Sequence, residues 1–122
     1  YDENLVNNSK NVDVLFHESM SLDLVNLINK NAERIGNTMA AKVTIDIQDY
    51  HTPIPEIVQA AQEANVGHLV FYHHLPAPRN QLMENIMYRG VDEIMDNWTA
   101  SHDGTMVILP TDSDEIIITS VD

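Results

Sequence analysis

The topology of this chain depends most on residues 12–19, which read Val-Asp-Val-Leu-Phe-His-Glu-Ser. The apolar run that opens this stretch is rich in β-forming residues and predicts a buried strand. A second run, Leu-Val-Phe-Tyr at 69–72, predicts another buried strand, which His73 and His74 follow. Because a helical segment separates the two runs, we expect a strand–helix–strand unit with parallel strands. The polar residues that follow each strand would then lie at the same edge of the sheet.

The segment between the two strands predicts helices. A first helix should begin after Ser21, a favoured N-cap residue, and stop near Gly36. Residues 38–47 favour a second helix, although Val-Thr-Ile within them also fits a strand. Thr52 and Pro53 are typical of the N-cap and first residue of a third helix.

The remainder of the chain predicts a short helix and a terminal hairpin. A weakly amphipathic helix is expected from about 81 to 88. Apolar stretches at 105–109 and 115–119 predict two strands of a C-terminal β-hairpin. The 122 residues are too few for two independent cores, so residues 1–122 are expected to form one α/β domain.

Composition limits the possible partners. Nineteen acidic and six basic residues give a formal net charge of −13, and the basic residues are scattered, which disfavours nucleic acid and anionic membranes. No apolar run approaches the roughly 20 residues that span a bilayer. The absence of cysteine excludes disulfides and thiolate zinc sites but leaves the cellular compartment open. The start of the chain predicts no signal peptide, and its lack of an initiator Met suggests a processed or truncated protein.

The histidines are the main candidates for chemistry. A single histidine is usually a surface residue or a hydrogen-bonded core residue without a chemical role, and we assign His68 and His102 to that class. His73 and His74 are adjacent, and because neighbouring strand residues point to opposite faces, only one of them can face a given site. A histidine pair alone is weak evidence for a metal.

Glu18 and His51 are further candidates, each with a structural alternative. Glu18 stands beside His17 and could orient an imidazole or relay a proton, but a solvated loop carboxylate fits equally well. His51 precedes a predicted helix and could simply bond to the backbone.

The order of these motifs resembles the C-terminal half of a metallo-β-lactamase-fold hydrolase and is most similar to the ribonuclease Z-like branch. The resemblance covers nearly the whole chain. Its motifs are His-Glu-Ser at 17–19, Asp-Tyr-His-Thr at 49–52, Leu-Val-Phe-Tyr-His at 69–73, Tyr-Arg-Gly-Val-Asp-Glu-Ile at 88–94 and Asp-Gly-Thr-Met-Val-Ile-Leu at 103–109. It implies half of an αββα sandwich, with a small mixed sheet and helices on one face.

The resemblance also implies roles for three side chains. His73 corresponds to the zinc ligand of the family's Leu-x-x-Thr-His motif, with Tyr72 in place of Thr. Glu18 corresponds to the acid of the His-Glu-Ala-Thr-like motif. His51 corresponds to the histidine that helps to protonate the leaving group. Family members hold two metal ions, usually zinc, which lower the pKa of a bridging water and stabilise the developing oxyanion.

Two family motifs are missing from this sequence. The principal ligand motif, His-x-His-x-Asp-His, does not occur, and neither does the Gly-Asp-Thr segment that carries the bridging Asp. Because catalytic zinc needs about three protein ligands, we expect weak or no zinc binding by this chain alone. His17 and His74 are candidate supporting residues around the metal ligands.

These observations predict the C-terminal part of a longer, dinuclear zinc hydrolase of a small ester, lactone or phosphodiester. The alternative is a non-catalytic binding module that keeps the half-fold. An uncovered sheet face would favour a homo-oligomer or a swapped assembly.

Overall fold

A computed structural model describes residues 2–121 and shows an α/β domain. Its α-helices are α1 (Glu3–Asn8), α2 (Leu22–Arg34), α3 (Thr38–Asp46), α4 (Ile54–Glu63) and α5 (Gln81–Met87). Its strands are β1 (Val14–Met20), β2 (His68–Leu75), β3 (Trp98–Ala100), β4 (Thr105–Ile108) and β5 (Ile117–Ser120). Short 3-10 helices cover Ile47–Asp49 and Val91–Glu93.

The main sheet has the order β1-β2-β3, and both pairings are parallel. The predicted parallel pairing of the first two strands is therefore confirmed, as is the C-terminal hairpin of β4 and β5. Within residues 2–121 the antiparallel pairing is confined to that hairpin, so the expected mixture of strand directions is divided between two sheets. The strand β3 was not predicted, because a run of only three residues carries almost no periodicity.

The helix α3 settles the ambiguity at 38–47 in favour of a helix. Asn37 caps it by accepting from the backbone N–H of Ala40 at 3.1 Å. Inside the helix, the Thr44 hydroxyl donates to the backbone oxygen of Ala40 at 2.9 Å, and the Asn29 amide donates to Thr44 Oγ1 at 2.9 Å. The Asn29 contact joins α2 to α3. The Thr44 contact provides a hydrogen-bond acceptor for the hydroxyl of this β-branched residue inside the helix.

The helix α4 starts one residue later than expected, at Ile54, with Pro53 as its N-cap. Pro53 forms an isolated parallel bridge with Met20 of β1, and this bridge keeps it extended, with ψ at 138°. The apolar positions of α4 recur at helical spacing, and Ile57 and Val58 are fully buried against the sheet residues Leu69 and Phe71.

A bulge interrupts the pairing of β1 with β2. Glu18 pairs with Tyr72 and the next residue, Ser19, pairs with His74, so His73 is an extra residue on β2. His73 has φ +49°, in the left-handed region. The bulge therefore places the side chain of His74 on the same sheet face as that of Ser19. The side chain of His73 does not follow the alternation of side chains between the two faces of the sheet.

Candidate functional site

The candidate site lies where β1 and β2 approach their C-terminal ends. The strand β1 continues to Met20, further than expected, so Glu18 lies within the strand rather than after it. Its side chain reaches the loop before α4. Glu18 Oε1 accepts from the backbone N–H of Thr52 at 2.7 Å, and Oε2 lies 3.1 Å from His51 Nδ1. Because an ionised carboxylate can only accept, His51 donates through Nδ1.

His73 completes a contiguous group with these two residues. Its imidazole stacks on that of His51, with ring centroids 5.5 Å apart and planes inclined by 23°. The positive φ of His73 accompanies its position as the extra residue of the bulge. Glu18, His51 and His73, which are far apart in the sequence, are thus neighbours in the fold. We call these three residues the Glu18 cluster.

The donor set of the Glu18 cluster fits part of a metal centre, not a whole one. Within residues 2–121, no three His, Cys, Asp or Glu side chains are arranged to hold a metal ion together. Both carboxylate oxygens of Glu18 already accept hydrogen bonds, whereas the exposed imidazole of His73 can offer a nitrogen. A catalytic zinc site uses about three protein ligands. The described residues therefore match one ligand position.

His17 does not join the Glu18 cluster. It follows Phe16 and precedes Glu18 in a strand, so its side chain points to the other face of the sheet. There its Nδ1 lies 2.8 Å from the backbone oxygen of Glu18, and Nδ1–H is the donor because a carbonyl only accepts. His17 also lines a shallow cavity beside α1 and the start of α4.

His74 belongs to a separate polar network inside the domain. Its Nε2–H donates to the backbone oxygen of Ser101 at 2.7 Å, so Nδ1 is the acceptor in the neutral ring. The hydroxyl of Tyr88 contacts that Nδ1. Ser19 Oγ lies 2.7 Å from Tyr88 Oη and 3.2 Å from His74 Nδ1. This network joins β1, β2, the end of α5 and the segment after β3.

Burial raises the pKa of the Tyr88 hydroxyl, which is therefore a stable proton donor at neutral pH. Ser19 is fully buried and Tyr88 nearly so. Sequence reasoning did not find either residue, because a single Ser in a strand and a single Tyr at a helix end carry no pattern. Because the hydroxyls of Ser19 and Tyr88 are buried, they are not placed to contact a ligand. Their hydrogen bonds instead anchor β2, the strand that carries His73.

The two histidines that were assigned to structural roles have such contacts. His68 Nε2 lies 2.8 Å from the Thr99 hydroxyl, and burial lowers the pKa of His68. His102 Nε2 lies 2.9 Å from a carboxylate oxygen of Glu84. Both contacts link elements that are distant in sequence and lie outside the Glu18 cluster.

No family model matches the chain, and no curated protein matches it. Within the part of the chain that the structure describes, no helix has the length and apolar character needed to cross a membrane.

Proposed function

We propose that this chain is the C-terminal part of a metal-dependent hydrolase that uses two zinc ions and acts on a small ester, lactone or phosphodiester. The Glu18 cluster is the observation that carries the proposal. It groups a carboxylate and two imidazoles beside the C-terminal ends of neighbouring parallel strands, where α/β sheets commonly bind ligands.

Glu18 and His51 would together deliver a proton to the leaving group. The carboxylate fixes Nδ1 of His51 as the donor nitrogen, which leaves Nε2 as the nitrogen for substrate. When the ring is protonated, Nε2–H can donate to the oxygen of a leaving group, and the adjacent negative charge stabilises that cation. The Thr52 N–H holds the other carboxylate oxygen, so Glu18 keeps its orientation during the transfer.

His73 would supply one metal ligand. Zinc bound there would activate water as the nucleophile. Since the described residues provide one ligand position, the remaining ligands would come from polypeptide outside this sequence. The chain by itself is therefore expected to be inactive and to bind zinc weakly.

The sheet face that bears Glu18 has exposed apolar side chains that further protein could cover. Phe16 and Tyr72 share this face with Glu18 and are 53% and 49% exposed. Half-exposed aromatic side chains beside a candidate site favour coverage by protein. We propose that the missing half covers this face in the complete enzyme, and that a second copy covers it in the isolated chain. Light scattering should then show an oligomer, and a monomer at all concentrations would contradict this.

The substrate is proposed to be small because of charge. The formal net charge of −13 would repel the phosphates of a nucleic acid. A neutral ester or lactone meets no such barrier.

The test uses the chain joined to the polypeptide that precedes it in its gene, loaded with zinc and assayed on generic esters and phosphodiesters. His51→Ala and His73→Ala should each lower activity by about two orders of magnitude or more, as for loss of an acid–base group or a metal ligand. His102→Ala removes an exposed histidine outside the cluster and should leave activity unchanged. Activity that survives the double His51→Ala, His73→Ala replacement would refute the proposal.

The second candidate is a non-catalytic binding module. The lack of a complete metal-ligand group within residues 2–121 is the observation that favours it. The two candidates differ in the gene upstream of residue 1. A His-x-His-x-Asp-His motif followed by Gly-Asp-Thr supports the hydrolase, and their absence supports the binding module.

A further inference from the structure

A cavity of about 510 Å³ lies next to the Glu18 cluster and plays no part in the chemistry described so far. It is formed where the first turns of α2 and α4 face the end of α5 and the 3-10 helix that follows. Its lining residues are mainly aliphatic and include Met20, Leu22, Pro53, Val58, Ile86 and Met87. Volumes of this size are typical of small-molecule sites.

The floor of the cavity is apolar, and two isoleucines lie at its rim. Met20, Val58 and Met87 have exposures of 1%, 0% and 5% and belong to its buried part. Ile86 and Ile94 are partly exposed at its rim. None of the described residues in the lining is aromatic, so they offer dispersion contacts and no ring stacking. The two methionines can adjust their shape to a flexible chain.

Charged groups in the lining are limited to Asp23 and Arg89. They carry opposite charges, and within the described residues 2–121 neither forms an ion pair. Their opposite signs give the lining no net charge. Both side chains are exposed, so their charged groups can remain in water, and it is the aliphatic part of the lining that favours an uncharged occupant.

The cavity adjoins a second cavity that reaches the candidate site. A second, more open cavity of about 480 Å³ includes His51 and Thr52 in its wall. The two cavities share Met20, Leu22 and Pro53. The aliphatic cavity therefore lies directly beside the cavity that His51 lines.

We infer that the aliphatic cavity binds the straight acyl or alkyl chain of a neutral ester substrate. This inference rests on the proposed function and specifies its substrate class. The polar ester group would lie toward His51, and the hydrocarbon would be enclosed between α2, α4 and α5. Each methylene transferred from water to the cavity should tighten binding roughly fourfold.

The experiment measures binding by the 122-residue chain itself, so it needs neither metal nor activity. The probes are 1-butanol, 1-hexanol and 1-octanol, titrated while the methionine methyl groups are observed by ¹³C NMR. The methyl signals of Met20 and Met87 should shift, while those of Met39 and Met106, which do not line the cavity, should not. Affinity should rise by about tenfold or more for each two methylenes.

Two tryptophan replacements on α5 provide a matched pair. Ile86→Trp places a large side chain at the rim and should weaken 1-octanol binding at least tenfold. Leu82→Trp makes the same change at a more exposed position of the same helix, outside the lining, and should leave binding unchanged. Both positions are on the surface, so the fold should tolerate both changes.

The inference is overturned if the Met20 and Met87 methyl signals do not shift, if all methionines shift alike, or if affinity does not depend on chain length. These results would not bear on the Glu18 cluster, because the measurement is made without metal or turnover. Conversely, activity that is indifferent to His51 and His73 would refute the hydrolase while leaving an observed alkyl-binding cavity in place.

Discussion

Replacing Glu18 with glutamine should change which nitrogen of His51 carries the proton. In the native protein the carboxylate requires Nδ1–H as its donor at 3.1 Å. In Glu18→Gln, the amide oxygen must stay with the Thr52 N–H, which needs an acceptor. The amide NH₂ then faces His51, so Nδ1 becomes the acceptor and the neutral ring carries its proton on Nε2.

The stability change can be estimated from the same two contacts. Hydrogen bonds to a charged group contribute about 1.5–3 kcal/mol each. Glu18 and His51 side chains are 20% and 21% exposed, so solvent reduces the charge contribution. Glu18→Gln keeps both contacts as neutral bonds and should lower the free energy of unfolding by about 1 kcal/mol. Glu18→Ala removes both and should lower it by about 2–4 kcal/mol.

The assays are ¹⁵N NMR of the imidazole nitrogens at a pH where His51 is neutral, and urea denaturation. Glu33→Gln is the control, because it makes the same charge change on the exposed side of α2. It should alter neither the tautomer nor the stability by more than about 0.5 kcal/mol. An unchanged His51 tautomer in Glu18→Gln would refute the assigned hydrogen-bond directions.

Three other replacements test the surroundings of the site. Tyr88→Phe leaves the buried Ser19 hydroxyl with a single partner, and should lower the unfolding free energy by about 1–3 kcal/mol in denaturation experiments. Since His73 has φ +49°, His73→Gly should be more stable than His73→Ala by about 1 kcal/mol, and equal stability would argue against the left-handed conformation. Burial lowers the pKa of His68, so the unfolded chain takes up its proton first as the pH falls below about 6.5. The native protein should accordingly lose stability below that pH, and His68→Gln should lose less; an identical pH dependence in the two proteins would contradict this.

Local sequence patterns anticipated most of the secondary structure. The apolar runs that became β1 and β2, the N-cap of α2 at Ser21 and the terminal hairpin all follow from side chains close together in the chain. Parallel pairing also followed, because a helical connection between two buried strands strongly favours it. The elements that were missed, α1 and β3, contain six and three residues and are stabilised by neighbours rather than by periodicity.

The arrangement of the candidate site could be predicted only in part from the sequence. The sequence placed Glu18 and His73 near the C-terminal ends of two neighbouring strands and singled out His51, whose proposed role came from the resemblance. The hydrogen bond from His51 to Glu18 joins residues 33 positions apart. It depends on the Met20–Pro53 bridge that fixes the intervening loop, which no local pattern encodes.

Residue composition and local periodicity thus determined the fold class, the order of the elements and the sheet edge at which polar residues collect, because these depend on the hydrophobic pattern and on local backbone preferences. Only tertiary structure decided that a bulge separates His73 from His74, that Tyr88 and Ser19 share a buried network, and that two helix starts enclose an aliphatic cavity. Each of these features requires contacts between segments far apart in the chain, and the strength of such contacts is set by packing geometry that a linear pattern does not contain.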